Sequence, residues 1–117
     1  MKIGILCAIP KEIIYFDLPP NSAQTLGGRT FFCKQEESHE LIVVECGLGK
    51  VNAALASTIL IQQFDCDLLV FSGVAGGIDP EMEIGEVVVG ESLIQYDYGA
   101  LNDGQLQVYR AGSIPMG

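Results

Sequence analysis

Basic residues are scarce in this sequence, and tryptophan is absent. The chain has six lysines and arginines against fifteen aspartates and glutamates, and its formal net charge is −9. No two of the basic residues are adjacent, whereas binding to a phosphate backbone needs clustered Lys and Arg. The composition therefore argues against nucleic acid as a partner, and against an anionic membrane surface for the same reason.

Long apolar runs are missing as well. No segment approaches the roughly 20 apolar residues that a transmembrane helix needs. The apolar start from Ile3 to Ile9 is interrupted by Gly4 and ended by Pro10, which makes it too short for a secretory signal. This segment instead predicts a first, buried strand.

The four cysteines do not form a metal-binding pattern. Cys7, Cys33, Cys46 and Cys66 include no C-x-x-C pair, and His39 is the single histidine. Metal sites need closely spaced ligands, so we predict no metal and no cofactor. Buried free thiols in a reducing compartment are the simpler interpretation, and they predict a cytoplasmic location.

What remains is a compact chain with a large apolar fraction. Hydrophobic residues make up 49% and charged residues only 18% of it, which predicts one globular domain over residues 1–117. In the longest helical segment, Val51 and Leu55 belong to apolar positions at three- and four-residue spacing. The pattern predicts an α/β fold with a mixed central sheet flanked by helices. The predicted strands are 2–8, 24–26, 29–35, 41–45, 68–71, 84–89 and 105–109, and the predicted helices are 10–16 and 50–64.

The clearest functional signal is the apolar run Leu68–Phe71, which stops abruptly before Gly73, Gly76 and Gly77. A short apolar run of this kind is typical of a strand that is covered on both faces. Glycines at its end let main chain rather than side chains form the floor of a crevice. Ligands of open α/β sheets bind at such strand ends, so the segment predicts a small-molecule pocket.

Three segments are candidates for the chemistry of that pocket. Glu12 follows the first strand on the first turn of a short helix, where its protonation can be tuned for acid–base work; the alternative is an ordinary helix-start glutamate facing water. Residues 47–50 (Gly-Leu-Gly-Lys) precede a helix and either seat an anion or make a tight turn. Residues 74–77 (Val-Ala-Gly-Gly) either allow close approach of a ring or ribose or form a packed turn. We assign no metal to the acidic residues between 79 and 86.

These segments, in this order and spacing, resemble the nucleoside phosphorylase/hydrolase superfamily. The sequence MKIGILCAIPKE at residues 1–12 is similar to that family's opening strand and catalytic glutamate. GLGKVNAA at 47–54 is similar to its second signature, and SGVAGG at 72–77 with IGEVVV at 84–89 is similar to its third. The likeness is greatest to the methylthioadenosine/S-adenosylhomocysteine nucleosidase branch, and it covers nearly the whole chain.

The resemblance implies a nucleoside hydrolase with Glu12 as the catalytic residue, acting in purine nucleoside catabolism and methionine salvage. Glu12 would position and deprotonate the water that attacks the ribose anomeric carbon. The branch implies no cofactor and a homodimer, in which a loop containing Pro115 reaches toward the pocket of the partner subunit. The substrate-binding residues implied by the resemblance are Ala8, Ile9, Leu48, Val74, Ala75 and Gly76. Among these, Ile9 would line the ribose and Leu48 would pack near the 5′-alkylthio group, while residues 74–76 would support the ribose and the purine edge through main chain.

Departures from the family pattern leave alternatives open. Val74 stands where many members have a serine that helps to hold the water, and Tyr96-Asp97 stands where a His-Asp pair is common. The family fold also continues past this length, so we expect an N-terminal part that is inactive alone. Segment 10–12 (Pro-Lys-Glu) lacks the arginine of phosphorylase relatives, and the sequence has no arginine near Gly47 or Gly73, which favours water over phosphate. Because Lys11 is present, a phosphate-dependent phosphorylase stays open, as does a non-catalytic nucleoside-binding remnant.

Overall fold

A computed structural model describes residues 1–113 of the chain, and Pro115 therefore lies outside the described residues. The chain divides into two compact units, Met1–Gly76 and a second unit that begins at Gly77. The prediction of one domain over residues 1–117 stays a prediction. Every residue predicted to form the site lies within the first unit.

The first unit is built from a single sheet and two α-helices. Its strands are β1 (Lys2–Cys7), β2 (Ala23–Leu26), β3 (Arg29–Glu36), β4 (His39–Glu45) and β5 (Leu68–Phe71). The helices are α1 (Pro10–Ile13) and α2 (Lys50–Gln62), and short 3₁₀ turns occupy Ile14–Phe16 and Pro20–Ser22. The predicted strand and helix positions in this unit are confirmed to within a few residues.

The strands of the first unit form a mixed sheet in the order β2-β3-β4-β1-β5. The central strand β1 pairs in parallel with both β4 and β5, whereas β2, β3 and β4 form an antiparallel meander. Residues Gly4–Cys7 of β1 are all buried, as expected for a strand with helical residues packed on both faces. The α/β class with a mixed central sheet flanked by helices is confirmed.

The three parallel strands end at the same edge of the sheet. In the register of the ladders, Cys7 pairs with Glu45 and Leu6 pairs with Phe71. The segments that follow β1, β4 and β5 therefore all leave from one edge, with the β1 segment between the other two. This edge is the crevice side of an open α/β sheet.

Helix α2 covers one face of the sheet through Ala56 and Leu60, which are both fully buried. Gly4 makes a close approach possible, because a Cβ at this position would lie 2.9 Å from Cδ1 of Leu60. The helix itself is confirmed, but its apolar positions are not all buried: Val51 is 84% exposed and Leu55 is 41% exposed. The helix is apolar on nearly all sides, so its sequence does not single out one stripe. The buried cluster on this face comprises Leu6, Phe31, Ile42, Val44, Cys46, Ala56, Leu60 and Phe64.

The opposite face of the sheet has a smaller core. Ile5, Cys7 and Val43 are buried there. They are covered by the chain that follows β1, through the half-buried side chains Ile13 and Phe16 among others. The short helix α1 is therefore held by packing, which fixes the segment that carries Glu12.

All four cysteines are free, as predicted. Burial raises the pKa of the Cys7 thiol to about 11, with a further contribution from the nearby negative charge of Glu12. Burial is also the main cause of the raised pKa of the other three thiols. Thiols with raised pKa values stay protonated at neutral pH and behave as small apolar groups.

Replacing Leu60 by alanine is expected to destabilise the chain by about 2–5 kcal/mol, because Leu60 is fully buried and the substitution opens a cavity above Gly4. The measurement is the free energy of unfolding of the chain in urea. Gln62→Ala is the matched control on the same helix, and since Gln62 is exposed and polar we expect a change within about 0.5 kcal/mol. Equal losses in the two variants would contradict the packing of α2 described above.

The second unit contains one antiparallel hairpin within its described residues. Strands β6 (Gly99–Asn102) and β7 (Gln105–Val108) are joined by Asp103 and Gly104, both with positive φ, as a two-residue hairpin turn requires. The predicted strand at 84–89 is wrong: this segment has no ladder partner, and its valines are largely exposed. β-type composition creates a strand only where a neighbouring strand accepts its hydrogen bonds. In the part of the chain that is described, no helix is both long and apolar enough to span a bilayer.

Candidate active site

Glu12 is fixed by the way in which the chain leaves β1. Ile9 has extended dihedral angles and begins α1, with Pro10 at the first helical position, where its missing N–H costs nothing. Glu12 is then the third helical residue, and its side chain reaches back toward the start of the helix. Its Oε2 accepts hydrogen bonds from the main-chain N–H of Ala8 at 2.7 Å and of Ile9 at 3.2 Å.

The other carboxylate oxygen of Glu12 reaches the end of a different strand. Oε1 accepts a hydrogen bond of 3.1 Å from the main-chain N–H of Val74, which follows β5. Gly73 leaves the space for this contact, because a Cβ on Gly73 would lie 2.7 Å from Oε1. The carboxylate thus joins the ends of β1 and β5 and is turned toward main chain.

These three hydrogen bonds stabilise the ionised form of Glu12. The bond from Val74 is the main cause of a pKa below the usual glutamate value, and the bonds from Ala8 and Ile9 lower the pKa further, against an opposing effect of burial. Burial, which by itself raises this pKa, has a smaller effect than the hydrogen bond from Val74. Glu12 is therefore a carboxylate at neutral pH.

The two oxygens of Glu12 differ in their remaining capacity. Within the described residues, Oε2 accepts two hydrogen bonds and Oε1 accepts one. A carboxylate oxygen has two lone pairs in its plane, so Oε1 retains one of them for a further donor. Glu12 is half-buried, so it is not enclosed in the core.

Leu48 lies on the loop that joins β4 to α2, at the same edge of the sheet. Gly47 and Gly49 flank it with φ values of +88° and +94°, a backbone region that non-glycine residues rarely adopt. The Leu48 side chain is 71% exposed, so it projects from this turn with little packing of its own.

Two residues without a predicted role support the Leu48 loop. Arg29, at the start of β3, donates from Nε to the main-chain oxygen of Cys46 at 2.8 Å and from Nη2 to Oδ1 of Asn52. Asn52 in turn donates from Nδ2 to the main-chain oxygen of Leu48 at 2.7 Å. Asn52 stands four residues after Leu48, a spacing that offered a weak signal, whereas no sequence pattern linked Arg29 to this loop.

The prediction that no arginine lies near Gly47 is wrong, because the folded chain brings Arg29 close to it. Nη2 of Arg29 lies 3.5 Å from the position of a Cβ on Gly47. The guanidinium also donates from Nη1 to the main-chain oxygen of Gly28, so it bonds three separate acceptors of the protein. Arg29 therefore supports the main chain at Gly28 and Cys46 and the side chain of Asn52.

The structure brings together only some of the predicted site residues. Ala8, Ile9 and Val74 contact Glu12 through their N–H groups, while Ala75 and Gly76 continue from Val74 as an exposed segment. Their roles in substrate binding stay predictions. Between residues 1 and 113, the structure has no cluster of three or more side chains that could hold a metal ion.

Comparison with known proteins gives a match over almost the entire chain. The family model described as the phosphorylase superfamily matches residues 2–113. A 5′-methylthioadenosine/S-adenosylhomocysteine nucleosidase from Mycobacterium tuberculosis is 39% identical over 117 residues, covering 98% of this chain and 46% of the relative. An aminodeoxyfutalosine nucleosidase from Campylobacter jejuni is 35% identical over 99 residues, covering 83% of this chain and 43% of the relative. The chain thus spans about half the length of the curated relatives it matches.

Solved structures give the same picture. The crystal structure of an S-adenosylhomocysteine nucleosidase from Streptococcus pyogenes, in complex with 5-methylthiotubericidin, aligns with a TM-score of 0.82 at 31% sequence identity. The alignment covers 97% of this chain and 49% of that protein. The fold of the chain therefore matches about half of such a protein.

Proposed function

We propose that this chain, which belongs to the phosphorylase superfamily, carries the water-activating part of a purine nucleoside N-ribosyl hydrolase. The substrate class that we propose is 5′-methylthioadenosine, S-adenosylhomocysteine or a nucleoside of similar shape, as the names of its relatives suggest. One observation carries the proposal: the Glu12 carboxylate is held by three N–H groups from the ends of two parallel strands.

Glu12 supplies the chemistry in this proposal through its oxygen Oε1. The remaining lone pair of Oε1 accepts a hydrogen bond from a water molecule and orients it toward the ribose. The purine takes up a proton from solvent, the bond between C1′ and the purine nitrogen breaks, and the electron pair of that bond leaves with the base as neutral adenine. The water oxygen then bonds to C1′, and the proton of the water passes to Glu12.

The lowered pKa of Glu12 fits a dissociative reaction of this kind. A weakly basic carboxylate does not deprotonate free water, but it does stabilise positive charge on the ribose. Water becomes acidic as it bonds to a cationic carbon, so the proton transfer occurs late and a strong base is not required. The negative charge of Glu12 is thus as important as its capacity to accept a proton.

The remaining site residues complete the proposed pocket. Ile9 lines the ribose, and Leu48 packs against the 5′ substituent. Ala8 and the exposed segment formed by Val74, Ala75 and Gly76 contribute main-chain contacts to the ribose and the purine edge. All of them leave the sheet at the edge where β1, β4 and β5 end.

The test is adenine release from 5′-methylthioadenosine by the protein at its full natural length, with and without inorganic phosphate. We expect release that does not depend on phosphate, with the free sugar as the second product. Release only in the presence of phosphate, with a sugar 1-phosphate as product, would assign a phosphorylase instead. Binding of methylthioadenosine by calorimetry without any turnover would assign a nucleoside-binding module and overturn the proposal.

We also propose a cytoplasmic location and a homodimer. The four free thiols fit a reducing compartment. The exposed apolar side chains of α2, among them Val51 and Ile61, fit a surface that another subunit or segment covers. Sedimentation of the protein at its natural length measures the oligomeric state directly.

A further inference from the structure

We propose that Arg29 and Asn52 are positioning residues for Leu48, and that they set how the site accepts the 5′ substituent of its substrate. We call this pair the Arg29–Asn52 clamp. The inference rests on the proposed function, because it assigns Leu48 to the 5′ side of the nucleoside. Neither residue touches the reacting atoms, and both act through the loop that carries Leu48.

The Leu48 loop needs support from outside itself. Its two glycines, at positions 47 and 49, allow many backbone conformations, and their positive φ values are not enforced by any side chain of their own. Leu48 is 71% exposed, so packing does not hold it either. A leucine that has to meet a small alkylthio group is useful only if its main chain is fixed by other contacts.

The first half of the clamp fixes the start of the loop. Arg29 bonds three acceptors at once: Gly28 beside it, Cys46 at the end of β4, and the side chain of Asn52. A planar guanidinium holds several acceptors in a fixed arrangement, which the single ammonium group of lysine does not reproduce. Arg29 thereby ties the β2–β3 turn to the residue that precedes Gly47.

The second half of the clamp fixes Leu48 itself. Asn52 uses both ends of its amide, since Oδ1 accepts from Arg29 while Nδ2 donates to the main-chain oxygen of Leu48. Gly47 is compatible with this arrangement because it has no side chain: a Cβ there would lie 3.1 Å from Nδ2 of Asn52. The chain of bonds from Arg29 to Leu48 therefore passes through one side chain on the first turn of α2.

The experiment compares two substrates of the protein at its natural length, 5′-methylthioadenosine and 5′-deoxyadenosine, which lacks the alkylthio group. In Arg29→Met, we expect KM for methylthioadenosine to rise about tenfold, while KM for deoxyadenosine and both kcat values change by less than about threefold. Asn52→Asp keeps the acceptor for Arg29 but removes the donor to Leu48, and we expect the same split. An aspartate on the first turn of a helix is favourable, so this variant is expected to fold.

Gln35→Met is the matched control, because Gln35 is exposed on the same strand and its side chain bonds locally, to the main-chain oxygen of Glu37. Its KM values for the two substrates are expected to stay within about twofold of the wild type. Equal increases of KM for both substrates in Arg29→Met and Asn52→Asp would overturn the clamp, since they indicate a general structural role. Unchanged KM values in Asn52→Asp would overturn it as well. A wild-type protein that releases no adenine would overturn the proposed function, and the clamp with it.

Discussion

Replacing Glu12 by glutamine is expected to lower kcat for nucleoside hydrolysis by at least about 10³-fold, the upper part of the range for loss of a general base. The substitution removes the negative charge that stabilises the ribose cation. It also places an amide NH₂ where one carboxylate oxygen accepts hydrogen bonds from main-chain N–H groups. The NH₂ is itself a donor, so at least one of these hydrogen bonds is lost. The measurement is kcat with 5′-methylthioadenosine in the protein at its natural length.

Glu45→Gln is the matched control for this prediction. Glu45 ends β4 at the same edge of the sheet, and it is not among the residues that we place in the site. We expect its kcat to stay within about twofold of the wild type, as for most surface substitutions. Comparable losses in the two variants would show that net charge at this edge, rather than the Glu12 carboxylate itself, drives the reaction.

The pH profile gives the same residue a second test. The hydrogen bonds to Glu12 lower its pKa, so the carboxylate persists as the pH falls below the usual glutamate range. Activity that depends on this carboxylate is therefore retained at moderately acidic pH, and it is lost only as the pH falls through the lowered pKa. An acidic limb of kcat/KM above the usual glutamate pKa would contradict the hydrogen bonding described for Glu12.

Replacing Gly73 by alanine is expected to reduce kcat by about 10²-fold, because small misplacements of a catalytic group have effects of this size. The new methyl carbon would lie 2.7 Å from Oε1 and 3.0 Å from Cδ of Glu12, with a ring carbon of Phe71 at 3.0 Å on another side. Since the Phe71 ring also blocks the methyl, the carboxylate is the group that has to move. Its bond to the N–H of Val74 is then lost.

The Gly73→Ala variant also has a distinctive pH signature. The bond from Val74 is the largest cause of the lowered pKa of Glu12, so its loss raises that pKa toward the usual value. We expect the acidic limb of kcat/KM to move to higher pH than in the wild type. Gly77→Ala is the control, because its methyl would meet only Met82 Cβ at 4.0 Å. A Gly73→Ala protein with wild-type kcat and an unmoved acidic limb would show that the contact with Val74 is dispensable.

Much of the site could be predicted from the sequence because it depends on local features. Pro10 begins α1 and places Glu12 on its first turn, and the apolar runs of β1 and β5 are unmistakable. Parallel strands bring the segments that follow them to one edge of the sheet, and this predicts that Glu12 and Val74 are neighbours. The confirmed positions of β1, β4 and β5 follow from their apolar runs, and that of α2 follows from apolar residues at three- and four-residue spacing.

The parts that were missed depend on long-range geometry. Arg29 lies 17 residues before Cys46, and only the antiparallel register of β3 and β4 brings the two together. The face of α2 that packs on the sheet is not evident from its sequence, because apolar residues occur on most of its sides. Segment 84–89 has strand composition, but a strand also needs a neighbouring ladder, which composition does not report.

The bare backbone at Gly4 has a consequence far from its own position. Leu60 rests directly on it, near the end of α2, while the Leu48 loop leaves the other end of the same helix. Lys50 and Leu60 are about 15 Å apart along α2, at about 1.5 Å per residue, and the helix between them is stiff. A methyl group at Gly4 would lie 2.7 Å from Cδ2 of Leu69 and 2.9 Å from Cδ1 of Leu60, so both side chains would have to shift. The glycine therefore lets α2, and with it the start of the Leu48 loop, sit close to the sheet.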